Sequence, residues 1–286
     1  MPAQRTESTC EQVCVVARNQ HCMSSCNVGC SHARLQSLLL AIQVARLQRR
    51  YMCCVIAFVN TKGGVGKSFL ATSLSLWLSD QGFRIALIDA DDQQTSTRWI
   101  SDVSPNFVDS FRLSESGENL RSEELRVRIN ALKNAYDFIV VDTKGSAGLT
   151  TSAAVIKSDI ACIPIQPSAA DIWPLEHTLT TVKLSQEARR GAPRSLLILN
   201  QTNHADVGAR QIRSLAKEHG IEVAATPIKR LKIYRDSPGL RIAPTRLTDR
   251  RNVAAAQQLE SLFNEIISTT GENQFEKTRC RNQAAA

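Results

Sequence analysis

A glycine-rich turn with two lysines and a serine is the segment of this 286-residue chain best suited to chemistry. It reads KGGVGKS from Lys62 to Ser68, after the apolar run CCVIAFVN and before a helical pattern. Gly63, Gly64 and Gly66 allow the backbone to curl so that successive amides point inward. Because the N-terminus of a helix also attracts anions, this turn is suited to hold a polyphosphate.

A cation and a hydroxyl complete the requirements of a phosphate site. Lys67 supplies a mobile charge for the outer phosphates, and Ser68 supplies a hydroxyl for magnesium. The common phosphate-loop pattern has glycine five residues before the Gly-Lys pair, whereas this chain has Thr61, followed by a second lysine, Lys62. A dinucleotide-binding loop is not indicated, because the Gly-x-Gly-x-x-Gly spacing is not matched.

Carboxylates follow two later apolar runs. Asp89, Asp91 and Asp92 end the run RIALIDA, and Asp142 ends the run YDFIVVD. The carboxyl ends of parallel strands meet at the edge that carries the phosphate loop, so these side chains should emerge beside the ligand. Near a triphosphate, carboxylates hold magnesium or orient a nucleophilic water.

The elements that must position these residues alternate along the chain. Runs rich in Val, Ile and Leu predict buried strands at residues 53–60, 84–90, 136–142, 159–165, 194–200 and about 222–226. Helical patterns occupy residues 67–81, 93–101, 119–134, 148–157, 171–189, 206–219 and 248–268. This alternation predicts an α/β fold, a mostly parallel twisted sheet with helices on both faces.

Composition and charge exclude some classes of protein and favour others. Apolar residues form 43% of the chain and charged residues 22%, which excludes wholesale disorder. No uninterrupted apolar run reaches the length of about 18 residues that predicts a membrane-spanning helix. Residues 189–286 carry a formal net charge of +8, against −4 for residues 52–188. The basic C-terminal third indicates a polyanionic partner, such as nucleic acid or an anionic membrane face.

The chain is predicted to contain one domain at residues 52–268, between an N-terminal extension at 1–51 and a polar, flexible tail at 269–286. Met52 is an alternative start of translation, and a basic helical pattern at 33–51 is a candidate contact for a partner protein. The early cysteines lack the paired spacing of zinc modules. They are Cys10, Cys14, Cys22, Cys26 and Cys30. Cys53, Cys54 and Cys162 lie in apolar runs and are predicted to be buried, reduced thiols.

The motifs KGGVGKS, LIDADDQQ and VVDTKGS together resemble those of the deviant phosphate-loop ATPases of the ParA and MinD group. The segments PIQPSAADIWPLE (164–176) and LLILNQ (196–201) are similar to the plasmid-partition ParA branch. This resemblance covers residues 52–268 and implies a P-loop NTPase fold with a deviant Walker A motif. It implies a weak, cytoplasmic and nucleoid-associated ATPase that dimerises on ATP and binds DNA without sequence preference. Hydrolysis stimulated by a centromere-binding partner protein would reset it.

The resemblance also implies roles for individual residues. Lys62 is the signature lysine, which reaches the phosphates across a nucleotide-bridged dimer. Lys67 binds the phosphates, and Asp91 positions the attacking water, so these three lysine and aspartate side chains are the implied catalytic set. The residues that would hold magnesium, the two carboxylates through water, are Ser68, Asp89 and Asp142.

The resemblance places the base at the end of a later strand. Asn200 would hydrogen-bond adenine, and the loop at Pro227 would pack against the base. The stretch Asn-Gln-Thr-Asn at 200–203 lacks the carboxylate that guanine-selective proteins use, which favours ATP. The implied nucleotide-binding residues are Lys62, Gly63, Gly64, Val65, Gly66, Lys67, Ser68, Phe69, Asn200 and Pro227.

Two residues depart from the pattern of many relatives, which have proline at both positions. Asp92 follows the second aspartate of the Asp-x-Asp motif, and Lys144 follows the Asp-Thr pair of the third motif. The added negative and positive charges lie beside the loops that respond to the nucleotide. They are therefore placed to alter hydrolysis or the response to a partner, in a direction that the sequence leaves open.

The basic face predicted for DNA lies between Lys229 and Arg251. Contacts with DNA phosphates would make the affinity fall steeply with salt. The candidate DNA-binding residues are Lys229, Arg230, Lys232, Arg235, Arg241, Arg246, Arg250 and Arg251.

Three other functions compete with DNA partition. A MinD-like membrane switch needs a C-terminal amphipathic helix with a basic face, whereas the 248–268 pattern contains Glu260 and Glu265. An iron–sulfur reductase needs paired cluster cysteines, which the predicted strands do not supply. A ParA-like ATPase of conjugative DNA transfer, resembling VirC-type proteins through the stretch DADxxxxxTRW at 89–99, shares the chemistry and stays open as an alternative.

Overall fold

A computed structural model describes residues 53–104, 107–114, 117–168, 172–203 and 208–269. The predicted extension with its cysteines, and the tail beyond residue 269, lie outside these described residues. The strands are β1 (Cys54–Phe58), β2 (Ile85–Asp89), β3 (Val108–Arg112), β4 (Phe138–Asp142), β5 (Ile160–Ile165), β6 (Arg194–Leu199) and β7 (Glu222–Val223). The helices are α1 (Lys67–Asp80), α2 (Thr95–Val103), α3 (Glu118–Leu132), α4 (Leu149–Lys157), α5 (Ile172–Ala188), α6 (Gly208–Glu218), α7 (Lys232–Leu240) and α8 (Val253–Ser268), with a 3₁₀ turn at Pro244–Arg246.

The strands form one parallel sheet of seven strands, in the order β3-β2-β4-β1-β5-β6-β7. Neighbouring parallel strands need crossover connections, which the helices provide. The register places Asp89 opposite Asp142 and places Phe58 opposite Asp142 on its other side. The ends of β1, β2 and β4 therefore lie side by side, and the predicted α/β fold with a parallel sheet is confirmed.

Two apolar layers, one on each face of the sheet, form the core. Alternate strand residues such as Ile56 and Phe58 pack with α1, α2, α7 and α8. The residues between them, such as Val55 and Ala57, pack with α3, α4, α5 and α6. Because both faces of the central strands are covered, their sequences are continuous apolar runs with no alternation.

Helix α8 covers one face of the sheet by packing against α1. The rings of Trp77 and Phe263 lie 5.7 Å apart between centroids. Leu259, Leu262 and Ile266 on the same helix are fully buried. Helix α8 is therefore part of the core that supports the phosphate loop preceding α1.

The sequence patterns missed two elements and extended a third. Strand β3 reads VDSFR and lies at the edge of the sheet, where only Val108 is buried, so it has no apolar run. Helix α7 contains Pro238 and buries only Tyr234 and Ser237, which conceals its helical period. Helix α8 begins at Val253 and not at residue 248, because a turn stabilised by the Asp249 carboxylate precedes it.

The thiols behave largely as predicted. Cys54 and Cys162 are buried and unpaired, and Cys53 is half-buried and unpaired. Burial raises the pKa of the Cys53 thiol to about 12, although the charge of Lys133 opposes the shift. These thiols are therefore protonated at neutral pH, and reduced packing groups describe them better than reactive nucleophiles.

None of the helices in the described residues has the length and apolar character that crossing a membrane requires.

Replacing Phe263 by Ala should destabilise the protein by about 3–5 kcal/mol, because it leaves a cavity against Trp77 in a fully packed core. Urea unfolding monitored by circular dichroism measures this free energy. Leu240→Ala is the matched control, since Leu240 is 57% exposed and its removal should change the free energy of unfolding by less than about 0.5 kcal/mol. Equal losses in both variants would show that α8 is not part of the cooperative core.

Candidate functional site

Amide side chains from the ends of β5 and β6 hold the carbonyl groups of the phosphate loop. The carbonyl of Gly64 accepts hydrogen bonds from Nε2 of Gln166 at 3.0 Å and from Nε2 of Gln201 at 2.9 Å. The carbonyl of Val65 accepts one from Nδ2 of Asn200 at 2.7 Å. The loop is thus fixed from its carbonyl side by two neighbouring strands.

The glycine amides of this loop are available to a ligand. Within the described part of the chain, the amides of Gly63, Gly64 and Gly66 donate no hydrogen bond. Gly66 has φ +95° and caps the N-terminus of α1, and a Cβ at this position would overlap Nδ2 of Asn200. The left-handed backbone and the close amide together require glycine here. A curled loop of unused amides at a helix N-terminus is an anion site.

The base of the phosphate loop is anchored to β5 and α5. The Asn60 side chain is buried, accepts the Lys62 amide on Oδ1 at 2.9 Å and donates to the Pro164 carbonyl at 2.8 Å. The Thr61 hydroxyl donates to the Pro174 carbonyl at 2.8 Å. Thr61, which stands in place of the usual glycine, therefore serves as an attachment to α5.

Lys67 is buried beside the loop that it follows. Its Nζ donates to the carbonyl of Lys62 at 2.9 Å, so its ammonium lies across the mouth of the turn. Burial lowers the pKa of Lys67, and the charges of Asp142 and Asp91 oppose that shift. A buried cation with one neutral partner is well placed to gain an anionic one. Ser68 follows it as the second residue of α1 and is half-buried.

Asp89 and Asp142 occupy adjacent strand ends. Oδ2 of Asp89 accepts the amide of Thr97 at 3.0 Å and its hydroxyl at 3.2 Å. Burial raises the pKa of Asp89, and hydrogen bonds from the Thr97 and Asp91 amides oppose the shift. The carboxylate is therefore held at the start of α2 with its position defined by the backbone.

Asp142 is in a less favourable environment for a negative charge than an exposed carboxylate is. It is fully buried, and Oδ2 accepts the Ser96 hydroxyl at 2.6 Å, whereas Oδ1 has no hydrogen-bond partner in the described part of the chain. Burial raises the pKa of Asp142 to about 7, and the charge of Asp89 adds to the shift. The hydroxyls of Ser96 and Ser68 and the charge of Lys67 oppose it. Two buried carboxylates on neighbouring strand ends, one of them with an unsatisfied oxygen, form a site suited to a cation.

These donors fit magnesium. No cluster of three or more His, Cys, Asp or Glu side chains with metal-binding spacing occurs among the described residues. Magnesium is normally held by one or two carboxylates together with a hydroxyl, phosphate oxygens and water. The residues that could hold it are Ser68, Asp89 and Asp142.

Asp91 lies on the loop after β2, half-buried. Its amide donates to Oδ1 of Asp89 at 3.1 Å, and its own Oδ1 accepts the amide of Gln93 at 3.0 Å. The loop is therefore a compact turn built from its own carboxylates. It holds Asp91 near the strand end that also carries Asp89.

A cavity of about 470 Å³ opens between the phosphate loop and α7. Gly66, Phe69 and Asn200 line one wall, and residues from Lys229 to Pro238 line the other. A volume in this range accommodates a base and sugar. Pro227, although described and half-buried, lies outside this lining.

An aromatic cluster connects this cavity to the C-terminal helix. Phe69 lies 5.2 Å from Tyr234 and 5.9 Å from Trp99 between ring centroids. The Tyr234 hydroxyl donates to the Ala255 carbonyl at 2.7 Å, which joins α7 to α8. The wall of the cavity is thus continuous with the packing of α8.

The predicted DNA-binding residues divide into groups. Four of them line the 470 Å³ cavity: Lys229, Arg230, Lys232 and Arg235. A neighbouring cleft of about 320 Å³ is lined by Lys229, Lys232 and Arg251, together with Asn252 and Gln258. Arg246 is instead held by Asp80 at 2.7 Å and by the Ser104 hydroxyl at 3.1 Å.

The remaining two basic residues lie at exposed positions. Arg241 is 3.7 Å from the Asp102 carboxylate, and Arg250 lies on the turn before α8. Both are exposed. The structure therefore brings Lys229, Lys232 and Arg251 together, whereas Arg246 is paired with Asp80 at the surface.

Several site residues were missed by the sequence patterns. Gln166 and Gln201 support the phosphate loop, and both follow strand ends, so the rule applied to the aspartates would also have found them. Ser96 and Thr97 support the aspartates from α2, and their types and spacing gave no signal.

A family model described as the CobQ/CobB/MinD/ParA nucleotide binding domain matches residues 56–241. The chain is 28% identical over 215 residues to the maintenance of carboxysome distribution protein A of Halothiobacillus neapolitanus, covering 74% of this chain and 95% of that relative. It is 27% identical over 264 residues to the probable plasmid-partitioning protein ParA of Thermus thermophilus, covering 78% of this chain and 79% of that relative. Among solved structures, apo McdA of Cyanthece has a similar fold, with a TM-score of 0.61, 17% identity and coverage of 75% of this chain and 99% of that one.

The buried Asp142 predicts a pH-dependent stability of the ligand-free protein. Its pKa is raised by folding, so its contribution to stability is fully present below about pH 4, its unfolded value, and is lost as the pH rises through about 7. The wild type should therefore lose stability relative to Asp142→Asn as the pH rises from 4 to 7. The difference in the free energy of unfolding should reach a few kcal/mol at most, because each pKa unit corresponds to about 1.4 kcal/mol.

Urea unfolding of both proteins at pH 5 and pH 8 measures this difference. Asp102→Asn, at an exposed carboxylate of α2, is the matched control and should show no comparable change between the two pH values. A difference between Asp142→Asn and the wild type that is the same at pH 5 and pH 8 would contradict the buried, perturbed carboxyl.

Proposed function

Because the chain belongs to the CobQ/CobB/MinD/ParA family of nucleotide-binding domains, we propose that it is a magnesium-dependent ATPase that partitions DNA. It dimerises on ATP, holds DNA without sequence preference and is reset by hydrolysis that a partner protein stimulates. The observation that carries the proposal is the junction of unused glycine amides, buried Lys67 and the paired carboxylates Asp89 and Asp142 at one edge of the sheet.

The phosphates of ATP would replace the neutral partners that these groups now have. The glycine amides and the N-terminus of α1 bind the phosphate oxygens, and Lys67 moves from the Lys62 carbonyl to the outer phosphates. Ser68 would hold magnesium directly and Asp89 and Asp142 through water, and the ion would supply charge neutralisation of the phosphates. Binding of ATP and magnesium would thus offset the unfavourable free energy of burying these charges.

Hydrolysis in this proposal depends on position and charge, because phosphoryl transfer requires little covalent chemistry from the protein. Asp91 orients the attacking water from the loop after β2. Lys62 of the partner subunit completes the charge around the phosphates in the ATP-bridged dimer. A site that is completed by a second subunit has low activity alone, so DNA and a partner protein can control it.

The geometry around Asn200 supports adenine as the base. Its Nδ2 donates to the Val65 carbonyl, which leaves its Oδ1 to accept a hydrogen bond. The exocyclic amine of adenine donates such a bond, whereas the carbonyl of guanine at the same ring position cannot. Pro227, which lies outside the cavity lining, would act on the base only indirectly.

The position of the basic residues supports a link between ATP and DNA. Lys229 and Lys232 border both the 470 Å³ cavity and the 320 Å³ cleft that Arg251 lines. A nucleotide in the 470 Å³ cavity can therefore fix the position of the segment 229–232, which also lines the 320 Å³ cleft. DNA phosphates would bind along the cleft through these side chains.

A second candidate function is the positioning of a protein-based cargo on DNA. The relative that distributes carboxysomes favours it, because the chain covers nearly all of that protein. The ATPase and the DNA face are the same in both proposals, and the cargo differs. Loss of plasmids on removal of the gene supports partition, whereas loss of a localised protein assembly with stable plasmids supports the second candidate.

Replacing Lys67 by Gln should weaken ATP binding by more than 10-fold, because it removes the buried ammonium that faces the phosphates. Isothermal titration calorimetry with ATP and magnesium measures the dissociation constant, and phosphate release measures hydrolysis. Lys157→Gln at the end of α4 is the matched control and should bind ATP like the wild type. Wild-type protein that binds no ATP, or Lys67→Gln protein that binds it equally well, would exclude the proposed site.

Replacing Lys232, Arg250 and Arg251 together by Glu should abolish ATP-dependent DNA binding at 0.1 M salt. The change removes phosphate contacts, each of which accounts for about one unit in the slope of log affinity against log salt. Fluorescence anisotropy with duplexes of unrelated sequence measures the affinity, and calorimetry checks that ATP binding survives.

The matched control reverses three exposed charges on α6, namely Arg210, Arg213 and Lys217. This variant has the same change in net charge and should retain most of the DNA affinity. Equal losses of DNA affinity in the two triple variants would mean that the net charge of the protein, and not the 320 Å³ cleft, determines DNA binding.

A further inference from the structure

Asp92 and Lys144 lie in one ion cluster with Arg121. Nζ of Lys144 lies 2.7 Å from Oδ2 of Asp92, and Nη1 of Arg121 contacts Oδ1 of the same carboxylate. Nη2 of Arg121 donates to the Ala90 carbonyl at 2.8 Å. One carboxylate thus joins the loop after β2, the loop after β4 and helix α3.

Helix α3 holds the second of these loops by another contact as well. The Glu118 carboxylate accepts the amide of Thr150 at 3.1 Å and its hydroxyl at 2.9 Å. A Cβ at Gly148 would lie 3.0 Å from this carboxylate, so the chain before α4 passes close to Glu118. The first two turns of α3 therefore anchor both loops, through Arg121 on one side and Glu118 on the other.

The loop after β4 also lies directly against the phosphate loop. A Cβ at Gly145 would lie 2.6 Å from Cα of Gly63 and 2.8 Å from its amide nitrogen. The two backbones are in close contact here, so the loop after β4 cannot move closer to the phosphate loop. The position of Lys144 is accordingly limited by the phosphate loop on one side and by Asp92 on the other.

The loop that carries Asp91 is held in a similar way. The Asp91 amide is bound by Asp89 on the strand side, and the next residue, Asp92, is bound by the two cations. Removing the cations would release the residue after Asp91, while the hydrogen bonds of Asp91 to Asp89 and Gln93 would remain. The phosphate loop and its amides would keep their own attachments to Gln166, Gln201 and Asn200.

We propose that Asp92, Lys144 and Arg121 form a positioning cluster for hydrolysis, which sets the spacing between the loop of Asp91 and the loop after Asp142. The inference rests on the proposed ATPase function and deepens it. Lys144 and Asp92 are positioning residues that act through Asp91. They determine the rate of the chemical step and leave the affinity for ATP unchanged.

Because the cluster is solvent-exposed, we expect it to affect hydrolysis and to contribute little to the stability of the fold. The side chains of Lys144 and Asp92 are 48% and 40% exposed, so their pair contributes little to the free energy of unfolding. Salt screens exposed charges over a distance of about 8–10 Å at 0.10–0.15 M. The contribution of the cluster to the rate should therefore decline as salt is raised, while the fold is retained.

A double-mutant cycle with Asp92→Asn, Lys144→Met and the double variant tests the proposal. At saturating ATP and magnesium, each single variant should release phosphate about 3- to 30-fold more slowly, because a small displacement of Asp91 misplaces the water. The double variant should be no slower than the slower single variant, since both changes remove the same contact. Lys144→Arg should recover most of the rate, and calorimetry should give the same ATP affinity for all variants.

A matched ion pair on the same helix provides the control. Glu123 and Arg126 lie 3.6 Å apart on exposed positions of α3, so Glu123→Gln and Arg126→Met should leave phosphate release unchanged. Single variants that hydrolyse ATP at the wild-type rate, or losses that multiply in the double variant, would overturn the positioning cluster. Wild-type protein that binds no ATP would instead overturn the proposed function, so that the two failures are distinguishable.

Discussion

The burial of uncompensated charge at the carboxyl edge of the sheet is the constraint on which the rest of this structure depends. Asp142 is fully buried, with one oxygen that has no hydrogen-bond partner among the described residues, and Asp89 lies opposite it in register. Lys67 is buried, and its ammonium donates to a backbone carbonyl. Burying these groups is unfavourable unless a cation approaches the carboxylates and an anion approaches the lysine. The apolar layers on both sides of the sheet provide the stability that tolerates it.

Much of the fold follows from local chemistry that a single sequence contains. The continuous apolar runs identify the central strands, and the phosphate loop with its aspartates identifies the functional edge. Strand β3 and helix α7 could not be predicted in this way, since an edge strand and a proline-containing surface helix bury too few side chains to leave a pattern. The family resemblance drawn from the three motifs is confirmed by the match over residues 56–241.

The site shows the same division between local and long-range information. Residues on the phosphate loop and at strand ends are visible from their types and spacing. Ser96, Thr97 and Arg121 act from helices, and their contacts depend on tertiary structure that the chain does not reveal locally. Asp92 and Lys144 appear in the sequence as two separate departures from a motif. They are interpretable only once the strand order places them beside each other.

Tyr234 has a mechanical consequence for the whole molecule. Its ring contacts Phe69 at the start of α1, while its hydroxyl is bonded to the Ala255 carbonyl within α8. Helix α7 therefore contacts both the wall of the 470 Å³ cavity and helix α8. A ligand that displaces α7 would have to move α8 with it or break the hydrogen bond between Tyr234 and Ala255.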